Sequence, residues 1–138
     1  MPESDQSAET TTAYAANQAW WNEITEPHSA SGMYDMAAFK AGRNRFMHQY
    51  ILDEVGDVDG KSLLHLQCHF GQDTISLARL GAREAVGVDF SPTALAEARR
   101  LAEQTGTAKI FRFVEADVLD LDLGERFDVV FTSQGTIV

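Results

Sequence analysis

From Lys61 onward, short apolar runs alternate with stretches of helical period, and this alternation limits the possible folds more than any other feature. The runs are Ser62–Leu66, Ala85–Val88, Ile110–Val114 and Phe127–Thr132, with helical patterns over Asp73–Leu80 and Pro92–Gln104. Each run is apolar enough to be covered on both faces, and two are separated by a helix-length crossover. That pattern predicts an α/β unit with a parallel sheet. Ser91-Pro92 is a helix start, a capping hydroxyl followed by a proline in the first turn. Leu95, Ala98, Leu101 and Ala102 line one face of that helix, and Gly106 closes it.

The first sixty residues read differently. Residues 1–12 are polar and lack an apolar period, so they are expected to form a disordered tail. A helix is expected from about Tyr14 to Ile24, stopped at Glu26-Pro27. A second amphipathic helix is expected over roughly 36–55 from Met36, Phe39, Phe46, Met47, Tyr50 and Ile51. The chain thus divides into a tail (1–12), a helical segment (13–60) and the α/β unit (61–138).

Charge and composition narrow the function. Twenty-one acidic residues against eleven basic ones give a net charge of −10, which disfavours sequence-blind binding to nucleic acid or anionic lipid. No apolar stretch approaches the roughly 20 residues a membrane span needs. A single cysteine rules out an internal disulfide and fits the cytoplasm.

In open parallel sheets, ligands bind beyond the carboxyl ends of the strands where strand order reverses. Three strand ends carry suggestive residues: Leu63–Gly71, Gly87–Phe90 and Val114–Val118. Asp89 lies 18 residues after Gly71, the interval at which a carboxylate meets a ribose after one crossover. A dinucleotide would need G-x-G-x-x-G, but Gln67, His69 and Gln72 occupy the glycine positions. A pyrophosphate is therefore poorly matched.

The run Leu64-His65-Leu66-Gln67-Cys68-His69-Phe70-Gly71-Gln72-Asp73-Thr74 resembles the first motif of class I S-adenosylmethionine (SAM)-dependent methyltransferases. So do Leu80-Gly81-Ala82, Gly87-Val88-Asp89-Phe90-Ser91, Phe127–Val130 and the Thr132-Ser133-x-Gly135 segment. That motif reads h-L-D-h-G-x-G-x-G, and here Gln67 and His69 replace its first two glycines while Gly71 remains. The resemblance implies a Rossmann-like, doubly wound sheet with strand order third, second, first, fourth. It implies SAM as cofactor, with Asp89 on the ribose hydroxyls, Phe90 against the adenine, Asp117 at the exocyclic amine and the Val118 backbone at the adenine edge. Gly71 and its neighbours would admit the methionine end, and Ser133 is a further cofactor-binding candidate. Gln67 and His69 either bond to the methionine ammonium and carboxylate or only shape the loop. The N-terminal helices would lie over the cofactor, with an aromatic (Trp20, Trp21, Tyr34 or Phe39) or Arg43 as candidate contacts.

Other readings stand beside these. Asp89 can be an ordinary strand-end acid, and Asp117 one member of an acidic rim with Glu115, Asp120, Asp122, Glu125 and Asp128. His65 reads as a hydrogen-bonded core histidine and Cys68 as a small buried hydrophobe. If residues 65–69 are extended, His65 and His69 face away from Cys68, and no second cluster completes a zinc site. The expected function is methyl transfer to a small-molecule acceptor, without nucleic acid or membrane. The alternatives are a NAD-dependent oxidoreductase or a non-catalytic SAM-binding fragment. Four strands are about half of what such a sheet usually carries. The chain is therefore expected to be a truncated, cofactor-binding portion, its fourth strand an exposed edge for self-association or a missing C-terminal half.

Overall fold

The computed structural model describes residues 3–30, 36–42 and 47–132. Three helices precede the sheet: α1 (Glu3–Ala30), α2 (Met36–Lys40) and α3 (Gln49–Val55). Then follow β1 (Ser62–Leu66), α4 (Gln72–Ala78), β2 (Glu84–Asp89), α5 (Pro92–Gln104), a 3₁₀ turn (Ala108–Ile110), β3 (Phe111–Glu115) and β4 (Val129–Thr132). The four strands are all parallel, in the order β3-β2-β1-β4. The parallel pairing is that of the alternating pattern, and the reversal of strand order at β1 is that of the resemblance.

Registry follows from the pleat. Leu63 pairs with Ala85 and Val129, and Ala85 with Phe111, so these residues share one face. Leu63, Ala85 and Phe131 pack there against Leu77 of α4 and against Met47, Ile51, Leu52 and Val55 of the α3 region. Leu101 and Ala102 of α5 join Phe39, Phe70 and Ile75 beside Phe111 and Phe113. Leu64, Val86 and Val88 line the opposite face, where among the described residues the irregular link between β3 and β4 covers them, through Val118, Leu121, Leu123 and Phe127. Fully burying a leucine such as Leu95 or Leu101 contributes about 1.5–3 kcal/mol. That burial, aided by Ser91 Oγ accepting from the Ala94 N–H at 3.1 Å, holds α5 on the sheet.

Several local expectations change. The polar stretch 1–12 is helical from Glu3, with the described side chains from Ala8 to Ala13 exposed. Polar composition reports the lack of a buried face, not the lack of a helix. α1 also runs three residues past Pro27, although proline donates no backbone hydrogen bond there and its ring crowds the carbonyl four residues back. The single helix expected over 36–55 is instead two, because Gly42 takes a left-handed conformation (φ 77°) after α2. Of the apolar edge Val129-Val130-Phe131, only Val130 is exposed, at 60%, since its neighbours turn toward the packed face.

Asp128, expected in an acidic rim, pins β4 to β1. Its Oδ2 accepts from the Ser62 N–H (2.8 Å) and hydroxyl (3.0 Å), and its own N–H donates to Ser62 Oγ (2.9 Å). These bonds hold its carboxyl below the usual carboxylate range. Among the described residues, no helix is long and apolar enough to cross a membrane.

Candidate active site

The site forms where β1 and β2 end. β1 stops at Leu66, and Gln67 and His69 both adopt left-handed backbone conformations (φ 56° and 51°), followed by Gly71 at 78°. Positions 67, 69 and 71 are those of the three glycines in the family motif, and here all three have the positive φ that favours glycine although two carry other residues. The alternation of faces expected over 65–69 therefore fails beyond Leu66. The turn brings the Cys68 N–H to the Val88 carbonyl at 2.9 Å, and the Cys68 side chain is buried. Burial and then the charge of Asp89 push its thiol well above the ordinary value, which makes it a packing residue and not a nucleophile.

Gly71 and Gly87 both sit at close approaches. A Cβ at Gly71 would lie 3.1 Å from Ala98 Cβ, and one at Gly87 would lie 2.8 Å from the Phe113 ring and 2.9 Å from Cys68 Sγ. At Gly87 only hydrogen leaves room for Phe113 and Cys68, while Gly71 combines a tight approach with a left-handed φ of 78° that favours glycine.

Asp89 ends β2, buried, and joins two loops. Its Oδ2 accepts from the His69 N–H and its Oδ1 from the Ser91 N–H, each at 2.9 Å. Burial raises its carboxyl above the ordinary value, against the opposing pull of the Ser91, His69 and Phe90 N–H groups. Phe90, half-buried, follows it. Asp117 lies half-buried beyond β3, accepting from the Leu119 N–H at 2.9 Å, while Val118 packs on the sheet face of Leu64, Val86 and Val88. Gln67 is exposed. The half-buried His69 ring packs against Trp21 (5.1 Å between centroids) and Phe70 (4.5 Å). Ser133, Tyr34 and Arg43 lie outside the described residues.

Of the aromatic candidates, Trp21 reaches the site, while Phe39 is buried in the core and Trp20 is exposed. Sequence reasoning missed three further participants, Tyr14, Gln18 and Asn22. Tyr14 and Trp21 of α1 meet Phe90 and His69 edge-on, at 5.3 and 5.1 Å. Gln18 donates to the Phe90 carbonyl at 2.5 Å, and Ser91 Oγ donates to Asn22 Oδ1. Residues 14, 18, 21 and 22 recur at helical spacing, a signal open to sequence reasoning, though the polar ones give no apolar stripe.

Deeper in the fold, His65 is buried with Nδ1 2.6 Å from Thr74 Oγ1, a core histidine as expected. Gln72, the first residue of α4, is 8% exposed, and its Nε2 is buried with no hydrogen-bond partner among the described residues. A buried, unsatisfied amide donor beside the glycine loop is a feature that a carboxylate ligand would satisfy. The residues present therefore fit SAM. Asp89 has lone pairs left for two hydroxyls, the loop has a positive φ at all three glycine positions of the motif, and Gln72 offers a donor next to it. Among the described residues, no group of three or more His, Cys, Asp or Glu could hold a metal ion.

Comparison with known proteins agrees with this geometry. The family profile for a methyltransferase domain matches residues 63–138. A ribosomal protein L11 methyltransferase of Mannheimia succiniciproducens is 34% identical over 91 residues, covering 64% of this chain and 31% of the relative. An uncharacterized methyltransferase of Synechocystis is 35% identical over 99 residues, covering 71% of this chain and 43% of the relative. The chain thus spans less than half the length of these relatives. Among solved structures, an RNA methyltransferase from Salinibacter ruber in complex with S-adenosyl-L-homocysteine (SAH) superposes with a TM-score of 0.55 at 28% identity, over 62% of this chain and 58% of that one. With its parallel β3-β2-β1-β4 sheet and its glycine-motif loop, the chain belongs to the class I, Rossmann-like, SAM-dependent methyltransferases.

Proposed function

We propose that this chain binds SAM across the carboxyl ends of β1, β2 and β3 and serves methyl transfer to a small-molecule acceptor. The observation that carries the reading is the backbone of the loop after β1, left-handed at positions 67, 69 and 71 and tied to Asp89 through the His69 N–H. A carboxylate so held is preorganised to accept two ribose hydroxyls. Phe90 offers its ring to the adenine, Asp117 its carboxylate to the exocyclic amine and Val118 its backbone to the adenine edge. Gly71 leaves room for the methionine end, Gln72 Nε2 donates to the methionine carboxylate, and Ser133 is a further cofactor contact. Gln67 and His69 shape the loop.

SAM, when bound, supplies a methyl group already activated on a sulfonium. The task left to the protein is alignment of the acceptor and exclusion of water, with a base needed only where the acceptor must lose a proton. The acid excess, net −10, supports a small uncharged or cationic acceptor over RNA. A second reading, a basic protein acceptor, is favoured by the acidic rim beyond β3 (Glu115, Asp117, Asp120) together with the relatives that carry the L11 methyltransferase name. The lone buried thiol suits the reducing cytoplasm. The exposed Val130 edge of β4 suits pairing with a further strand, from a second copy or from more of the protein.

The test is calorimetry with SAM, SAH and NAD, followed by an assay of SAH formation with small amines, phenols and purified ribosomal protein. Binding of SAM and SAH but not NAD is expected. Binding of NAD alone overturns the cofactor reading, and turnover only with ribosomal protein overturns the small-molecule acceptor.

A further inference from the structure

The contacts that α1 makes at the site fall on the residues assigned to the adenosine. Tyr14 meets the Phe90 ring edge-on, with centroids 5.3 Å apart and planes at 74°. Inserting a base between two rings requires about 7 Å between their centres, two stacking distances, so no third ring fits between these two. Partial burial, and then the charges of Asp117, Glu115, Asp120 and Asp89, raise the Tyr14 hydroxyl above its ordinary value. The same side chain thus meets the ring assigned to the adenine face and feels the charge of the carboxylate assigned to the adenine amine.

Around it, Gln18 holds the Phe90 carbonyl, Asn22 accepts the Ser91 hydroxyl and Trp21 lies on His69. These contacts reach the turn after β2 and the loop after β1, while α1 also packs along α5. Yet none of the described α1 side chains from Ala8 to Ile24 is fully buried, so little apolar burial opposes the release of this helix.

We propose that α1 is a displaceable strap in which Tyr14 competes with the adenine of SAM for the slot between Phe90 and Asp117. Entry of the cofactor requires α1 to shift, and the strap reduces the apparent affinity by the fraction of time it is closed. This inference rests on the cofactor reading above.

The experiment is stopped-flow titration of the full chain with SAH, following tryptophan fluorescence, since Trp21 sits on the loop that the ligand would touch. Wild type is compared with Tyr14→Ala and with Gln18→Ala, both at helix positions that alanine favours. Tyr14→Ala is expected to associate about three- to tenfold faster and to bind correspondingly tighter, and Gln18→Ala to shift in the same direction. If wild type binds SAH and Tyr14→Ala binds equally or more weakly, Tyr14 is a wall of the site or a bystander and the strap is overturned, while the cofactor reading stands. If neither protein binds SAH, the cofactor reading fails and the strap with it. If only Tyr14→Ala binds, both are upheld.

Discussion

The backbone N–H of His69 donates to Asp89 Oδ2 at 2.9 Å, joining the loop after β1 to the end of β2. The other oxygen of the same carboxylate takes the Ser91 N–H at 2.9 Å, at the start of α5. One buried side chain thereby sets the relative position of two loops and still has lone pairs to offer. Structural and ligand-binding duties are not competitors at Asp89. The bonds that orient the carboxylate are also what would make it a good acceptor for ribose.

Asp89→Ala should therefore lose on two measurements at once. Two backbone donors lose their buried acceptor, which predicts destabilisation by about 1–3 kcal/mol in urea unfolding. Affinity for SAH should fall by about ten- to a hundredfold in calorimetry. Asp89→Asn keeps one acceptor oxygen and should lie between the two. A folded Asp89→Ala protein with wild-type affinity would remove Asp89 from the ribose.

Gln67 and His69 hold backbone angles that side chains resist. A left-handed residue other than glycine costs about 1 kcal/mol, partly offset in a glycine variant by the greater freedom of its unfolded chain. Gln67→Gly should thus stabilise the chain by up to about 1 kcal/mol. The Gln67 side chain is exposed, so SAH affinity should stay within about twofold. A loss of fivefold or more would instead make its amide a ligand of the methionine end.

Most of the sheet is written in the sequence because buried parallel strands must be continuously apolar. β1 and α5 match their expected limits, and the others differ by one or two residues. The strand order is the one the family resemblance implies. The loop geometry at 67 and 69 is legible only through the family motif, since nothing in the letters Gln and His asks for a positive φ. The core of α1 is legible from Tyr14 to Ile24, but half of its contacts at the site are not. Gln18 and Asn22 are polar residues at helical spacing that hydrophobic periodicity does not register. Asp128 is similar, an acid among acids whose role depends on Ser62, 66 residues away in sequence.

The Gln72 amide separates stability from binding. Its Nε2 is buried and has no partner among the described residues, a condition that burdens the folded chain and that a bound carboxylate relieves. Gln72→Leu should raise the stability of the free protein by about 1 kcal/mol. It should also weaken SAH at least tenfold, because a bond to a charged group is lost. Opposite signs from unfolding and calorimetry are the expected signature. Loss of both would mean that Gln72 is needed for packing alone.

Two buried groups give the fold a pH dependence with opposing parts. Burial lowers His65 from 6.5 to about 3, so below pH 6.5 the unfolded chain takes a proton that the folded chain refuses, and stability falls on acidification down to about pH 3. Burial raises Asp73 from 3.8 to about 6, with the nearby His48 charge opposing, so here the folded chain keeps a proton that the unfolded chain gives up. That contribution makes stability rise as pH falls from about 6 to about 4. Each is limited to about 1.4 kcal/mol per pH unit, and across the shared window they offset one another. Asp73→Asn should expose the histidine, with stability relative to wild type falling steadily from pH 6 to pH 4. His65→Gln should show the reverse, a relative gain over the same interval as the carboxyl takes up its proton. Urea unfolding of the three proteins at pH 4, 5, 6 and 7 reads both differences. Parallel pH profiles for all three would show that neither group titrates differently in the fold, and would sink the burial argument at both positions.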